Sequence, residues 1–361
     1  MSVRIRAIPY TIKRYFPAFR HKNYRLFWYG QSISLSGTWM QTTAQAWLVY
    51  ELTKSPFLLG LIGAFQFTPV MLFSLIAGVY LDRFPKKQII LVTQTISMFL
   101  ALLMTILVMT DHVQFWHIAI IVTILGFVNT LDMPTRQSFM IEIVGKTHLT
   151  SAIALNSVTF NLARIVGPAI GGILIAKVGI GFCFLLNAIS FMAVIISVKM
   201  IKNLKVQDNN SYVKKTVLKE IKEGLTYIRH KADLFRPLII LAVVSTFAIN
   251  FNVLIPVYAK MELNTDARGF GFLLSSLGIG SIVGALSVAI YSNKLNKKFL
   301  IASMPYAVSI AMILIGLSTQ FYLASIFLIL LGIANIMFFT SVNSTLQLNS
   351  ESQYRGRVMS V

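Results

Sequence analysis

Apolar residues along this chain arrive in long runs broken by short polar connections. Met71–Leu81, Ile89–Met109 and Leu238–Val257 are of this kind, and about 20 apolar residues suffice for a helix to cross the hydrocarbon core of a bilayer. The pattern predicts ten spans, near 26–50, 57–80, 88–110, 115–141, 150–176, 180–200, 237–259, 269–292, 299–317 and 321–344. No water inside a bilayer satisfies backbone polar groups, so each span is expected to be a helix. The first run, Phe27 to Val49, is too long for the apolar region of a secretory leader and is followed by no small-residue cleavage site, so it reads as the first span.

The connections alternate in charge. The N-terminal tail carries Arg4, Arg6, Lys13, Arg14, Arg20 and Lys22, whereas the next connection, with Glu51 and Lys54, is neutral. The third has Asp82, Arg83, Lys86 and Lys87, and the fourth only Asp111 and His112. Lysine-rich sequence from Lys199 to Arg236 follows the sixth span, and Lys294, Lys297 and Lys298 follow the eighth. Basic connections at every second position place the N-terminus and the long central loop in the cytoplasm. Within that loop, Val213, Val217, Ile221, Leu225 and Ile228 fall at helical spacing opposite Lys214, Lys215, Lys219 and Lys222, predicting an amphipathic helix over 212–230 suited to an anionic membrane surface. The expected organisation is a basic tail (1–25), a six-helix bundle (26–200), a linker (201–236) and a second, four-helix bundle (237–361).

Composition sharpens this picture. Hydrophobic residues make up 56% of the chain and charged residues only 12%, too few charges to coat a water-soluble domain. The net charge of +20 does not point to nucleic acid, because the basic residues sit in clusters between apolar runs and form no single stripe. The lone cysteine, Cys183, lies inside an apolar run and can form neither an internal disulfide nor, alone, a metal site. His21, His112, His117, His148 and His230 are scattered, and no Ser-His-Asp set, metal-ligand spacing or nucleotide-binding loop is present. An enzyme is therefore not expected, nor a metal or other cofactor. A channel is disfavoured, because no ring of like charges lines a span.

A weak internal repeat runs through the chain. Ser55–Gly60 corresponds to Asp266–Gly271, Asp82–Lys87 to Asn293–Lys298 and, at a slightly smaller offset, Gly126–Asn129 to Gly332–Asn335. Two parallel halves of six spans are known for one large transporter class. On that register Val361 matches about Leu155, so the second half is expected to lack its last two helices and the sequence to be about 50 residues short by analogy with the first half. Glu351 to Arg357 would then be a cytoplasmic connection.

Several motifs resemble the major facilitator superfamily. The strongest is Gly78-x-x-x-Asp82-Arg83-x-x-Lys86-Lys87 between spans two and three. In it glycine permits close helix approach, Asp82 can face a neighbouring helix N-terminus and the basic residues remain at the cytoplasmic surface. Pro85 stands where the family often has glycine. Gly167-Pro168-Ala169-Ile170-Gly171-Gly172 in span five resembles the family's antiporter motif; proline bends a helix and the glycines admit a tightly packed neighbour. Phe19-Arg20 through Gly30-Gln31, Asp132-x-Pro134-x-Arg136, Asn161-x-x-Arg164-x-x-Gly167-Pro168, Glu223-Gly224-Leu225-x-Tyr227-Ile228 and Tyr354-Arg355-Gly356-Arg357-Val358 are similar in order and spacing to the siderophore and macrolide exporters of that superfamily. The resemblance implies an all-α, polytopic rocker-switch exporter of the bacterial inner membrane, driven by protons and acting as a monomer on a small-molecule substrate.

Charges inside spans are costly and usually paired or functional. Asp132 and Arg136 lie one turn apart at the inner end of span four, and Arg164 is mid-span in the fifth. Either Asp132 neutralises Arg136, Arg164 or Arg83 and locks the bundle, or it exchanges a proton and frees Arg164 for an anionic substrate. Thr38, Gln41 and Gln45 share a face of span one, and Gln66 and Asn129 place amides near mid-membrane. These five residues either hydrogen-bond helix to helix or line a cavity for a polar organic solute. The expected function is export of a small amphiphilic, siderophore-like molecule by proton antiport. Macrolide or multidrug efflux by the same mechanism is the alternative. A rival of another class is a truncated remnant that occupies the membrane without transporting.

Overall fold

A computed structural model describes residues 16–81, 84–202, 226–248, 250–290 and 296–351. Among these the regular structure is helical. A 3-10 turn, Pro17–Arg20, leads into α1 (Lys22–Thr53), α2 (Pro56–Leu81), α3 (Lys86–Met109), α4 (Phe115–Gly145), α5 (Thr147–Val178) and α6 (Ile180–Met200). After a short helical stretch at 226–230 come α7 (Ala232–Phe247), α8 (Phe251–Met261), α9 (Ala267–Ile290), α10 (Lys297–Leu317) and α11 (Phe321–Asn349). The chain divides into two compact units between residues 208 and 209. Asp82, Arg83, most of the expected amphipathic helix and the Tyr354–Val358 motif lie outside the described residues.

Among the described residues, eight helices are long and apolar enough to cross a membrane: α2 to α6 and α9 to α11. The other two expected spans differ for physical reasons. The first, α1, is 32 residues long, but its serines, threonines and glutamines keep it out of the strongly apolar set. The seventh, expected as one helix over 237–259, is broken into α7 and α8. At the break the Asn250 side-chain amide donates to the Thr246 carbonyl at 2.9 Å, the carbonyl to which the Asn250 backbone N–H would donate in a continuing helix. The spans expected at 115–141 and 150–176 meet at Gly145, whose φ of 70° and ψ of 169° interrupt the ladder in a region that glycine tolerates and side chains resist.

The sequence repeat reappears in local packing inside each unit. Ser55 Oγ accepts from the Leu58 N–H at 3.3 Å at the head of α2, and Asp266 Oδ1 accepts from Gly269 N–H at 3.1 Å at the head of α9. These are N-caps at equivalent positions, each satisfying an orphan donor of the first turn. Gly126 of α4 abuts the Gln66 carbonyl and Pro69 of α2, and Gly332 of α11 abuts the Leu277 carbonyl and Gly280 of α9. Gln66 and Leu277 correspond at the offset that relates Ser55 to Asp266, so the same crossing of α2 by α4 in the first unit is built again by α9 and α11 in the second.

In the first unit α1 packs on α4, α5 and α6, and α3 packs on α4 and α6. At the end where α1 begins, Phe19, Tyr24 and Phe27 bury against Phe139 and Val144 of α4, Leu155 of α5 and Val194 and Val198 of α6. The Tyr24 hydroxyl donates to the Ala152 carbonyl at 3.0 Å, fixing the entry of α1 against the head of α5. Large apolar side chains such as Phe67 and Met71 of α2 remain 63% and 74% exposed, as on a surface that faces hydrocarbon.

Candidate coupling and substrate site

Asp132 sits on the α4 turn preceding Arg136 and is buried. Its Oδ2 forms an ion pair with Arg136 Nε, one helical turn on. Its Oδ1 accepts from Thr93 Oγ1 at 2.6 Å and Gln94 Nε2 at 3.1 Å. Both donors come from α3, so this carboxylate fastens α3 to α4. Two neutral donors and one cation complement a carboxylate charge. Of the partners considered for Asp132, Arg136 takes the position, Arg83 lies outside the described residues, and Arg164 is engaged elsewhere.

Arg164 lies over the indole of Trp39, with its guanidinium carbon 6.0 Å from the ring centroid. The same indole meets Phe160 edge-on, with centroids 5.5 Å apart and an interplanar angle of 77°. Among the described residues no carboxylate lies within ion-pair reach of Arg164. The motif one turn further along α5 accounts for this placement. A Cβ on Gly167 would lie 2.9 Å from the Met40 nitrogen and 3.1 Å from the Ser36 carbonyl, so α5 and α1 touch backbone to backbone beside Trp39. Gly171 continues the contact along Met40, and Gly172 is buried. Pro168 brings no N–H to the carbonyl of Arg164, four residues earlier, which loosens the helix at that point.

Lys86 and Lys87, the described basic residues after span two, make contacts within their own unit. Lys87 Nζ donates to the carbonyls of Ile201 at 2.7 Å and Lys199 at 3.3 Å, capping the C-terminus of α6, where orphan carbonyls favour a cation. Lys86 Nζ lies 3.9 Å from Glu142 of α4. Gly78 is within α2.

The polar residues that could either hydrogen-bond helix to helix or line a cavity have different surroundings. Gln41 Oε1 accepts from Asn187 Nδ2 at 2.6 Å, and Asn187 Oδ1 accepts from Ser190 Oγ at 2.8 Å, all buried. Gln41 therefore joins α1 to α6. Gln45 is buried, Thr38 is exposed, and Gln66 and Asn129 are half-buried. Two connections escaped the sequence reading. Gln31 Nε2 donates to Asn156 Oδ1 at 2.9 Å. The histidines that looked scattered include a pair, His21 and His148, with Nε2 and Nδ1 2.8 Å apart. Burial first, and His148 second, hold the His21 imidazole below its ordinary pKa.

A family model described as "Transmembrane secretion effector" matches residues 14–361. The chain belongs to the transmembrane secretion effector family. It is 21% identical over 349 residues to macrolide efflux protein A of Streptococcus pyogenes, covering 95% of this chain and 86% of that one. It is 23% identical over 254 residues to the staphyloferrin A transporter of Staphylococcus aureus, covering 69% of this chain and 62% of that one. Its fold is similar to that of a bacterial homologue of the human lysosomal transporter Spinster, in an inward-facing and unoccupied conformation, with a TM-score of 0.72, 11% identity and coverage of 94% and 78%. The chain is thus a multi-pass transporter of the major facilitator type and not an enzyme.

Proposed function

We propose that this transporter exports a small amphiphilic, siderophore-like molecule across the bacterial inner membrane by proton antiport with alternating access, working as a monomer with its N-terminus in the cytoplasm. The coupling part rests on one observation: Asp132 is the buried carboxylate of the described spans, and its charge is held by donors from two helices. Protonating Asp132 requires Arg136 to leave and removes the acceptor charge on which Thr93 and Gln94 converge. Proton uptake and loosening of α3 from α4 are then one event, as a two-state coupled carrier requires.

Macrolide efflux by the same mechanism is the second reading, favoured by the greater coverage of the macrolide relative than of the staphyloferrin one. Accumulation of a labelled macrolide and of metal-free staphyloferrin A in a host stripped of its own efflux pumps separates the readings. Expression of this chain should lower accumulation of the siderophore more than that of the macrolide. The reverse order supports the macrolide reading, and unchanged accumulation of both supports a non-transporting membrane protein.

A further inference from the structure

We infer that Arg164, Trp39 and Phe160 form a substrate subsite that takes an aromatic ring bearing a carboxylate. The inference deepens the export reading and rests on it for the subsite's part in transport. Ser157, Asn161 and Arg164 follow one another at spacings of four and three along α5, which puts them on one face of the helix. Ser157 is exposed and the other two are half-buried, so this face is the polar surface of an apolar helix.

A guanidinium on a membrane span avoids hydrocarbon and marks a protein or water-filled surface. Here it has neither a carboxylate partner among the described residues nor a side-chain acceptor. It keeps donors in a planar fork that matches a carboxylate.

The aromatic half of the subsite is built beside it. Trp39 is half-buried and Phe160 is 41% exposed, and their edge-on contact leaves ring surface available for a further aromatic group. The backbone contact at Gly167 fixes Trp39 relative to Arg164, because a side chain there would drive α1 and α5 apart. Cation and indole are therefore held at a set spacing. A flat aromatic ring placed against Trp39 and Phe160 can direct its carboxylate to the guanidinium, whereas a neutral ring gains only the stacking.

The test is equilibrium binding of 1-naphthoate and of its uncharged counterpart 1-naphthamide to the full chain in lipid nanodiscs. The wild-type protein should bind the carboxylate about tenfold or more tightly than the amide, as a charge-assisted hydrogen bond implies. Arg164→Gln should abolish that preference, while Arg164→Lys, which keeps the charge but loses the fork, should retain part of it. Trp39→Ala keeps the Cβ that packs on Gly167 and should weaken both ligands about three- to tenfold, leaving the preference intact. Absence of naphthoate binding, equal binding of the amide, or a preference that survives Arg164→Gln would overturn the inference. Failure of efflux in cells would sink the export reading without altering this binding result, and the two failures are thereby distinguishable.

Discussion

Replacing Asp132 with asparagine keeps the shape of the side chain and removes its charge. Thr93 and Gln94 can still donate to the remaining amide oxygen, but the amide NH2 then confronts Arg136 Nε, which cannot accept from it. The larger effect is on Arg136, whose side chain is 15% exposed and loses its counter-charge. Removing one partner of a fully buried pair costs about 3–5 kcal/mol, and exposed pairs contribute under about 1 kcal/mol. The partial exposure of Arg136 puts the expected loss at about 2–3 kcal/mol. For a unit of this size that corresponds to a fall of roughly 5–10 °C in apparent melting temperature. The assay is thermal unfolding of the purified protein in detergent for Asp132→Asn, Arg136→Gln and the double variant. The double variant should recover most of the loss, giving a coupling energy of at least about 1.5 kcal/mol. Losses that simply add, or rescue of Asp132→Asn by Arg164→Gln in place of Arg136→Gln, would refute the pairing as the source of the effect.

Other parts of the first unit yield further expectations. Gly167→Ala should destabilise by about 1–3 kcal/mol through overpacking between α1 and α5, measured as a lower melting temperature; an unchanged value would mean the helices do not touch there. Asn187→Ala leaves the buried Gln41 oxygen without its donor and should cost about 1–3 kcal/mol, whereas Asn187→Leu combined with Gln41→Leu should cost much less; equal losses would exclude the hydrogen bond as the cause. The His21 pKa is depressed in the folded protein below its usual 6.5, so between the two values the native state binds fewer protons than the unfolded one and stability rises with pH. The hold of the N-terminal turn on α5 should be complete above about pH 6.5 and fade as pH falls through the lower folded value. Hydrogen exchange at the Ala18 amide, which donates to Ser151 Oγ at 3.3 Å, should accelerate between pH 7.5 and 5.5 beyond the intrinsic rate, and His148→Gln, which removes the lesser of the two causes, should reduce that response; the same acceleration in both proteins would contradict the part assigned to His148.

Features encoded by local spacing were legible in the sequence. Long apolar runs marked the spans, the caps Ser55 and Asp266 appeared within the repeat, and the i, i+4 spacing of Asp132 and Arg136 allowed their ion pair. Features that depend on which helices become neighbours were not. Thr93 and Gln94 converge on Asp132 from 39 and 38 residues away, and neither differs in type from the many other polar residues of the spans. Whether Gln41 bonds a neighbouring helix or lines a cavity stayed open, because helical periodicity gives its face but not the identity of the helix opposite. His21 and His148 are 127 residues apart, beyond the reach of any spacing rule. The α7–α8 break escaped notice because its cause is a single asparagine side chain bonding back to its own helix, inside a run whose hydropathy reads as continuous. The place of Trp39 beneath Arg164 follows from the backbone contact at Gly167, which only packing reveals.

On the proposed function, a proton gradient drives export through Asp132. This coupling is tested most directly with the full chain reconstituted in liposomes, by following movement of the exported solute against its own gradient under an imposed pH difference of one unit. Uphill movement is expected, and it should stop when the pH difference is collapsed. Asp132→Asn should abolish uphill movement while leaving solute-for-solute exchange intact, because exchange needs no net proton uptake. Uphill movement that persists in Asp132→Asn, or that is indifferent to the pH difference in the wild-type protein, would contradict it.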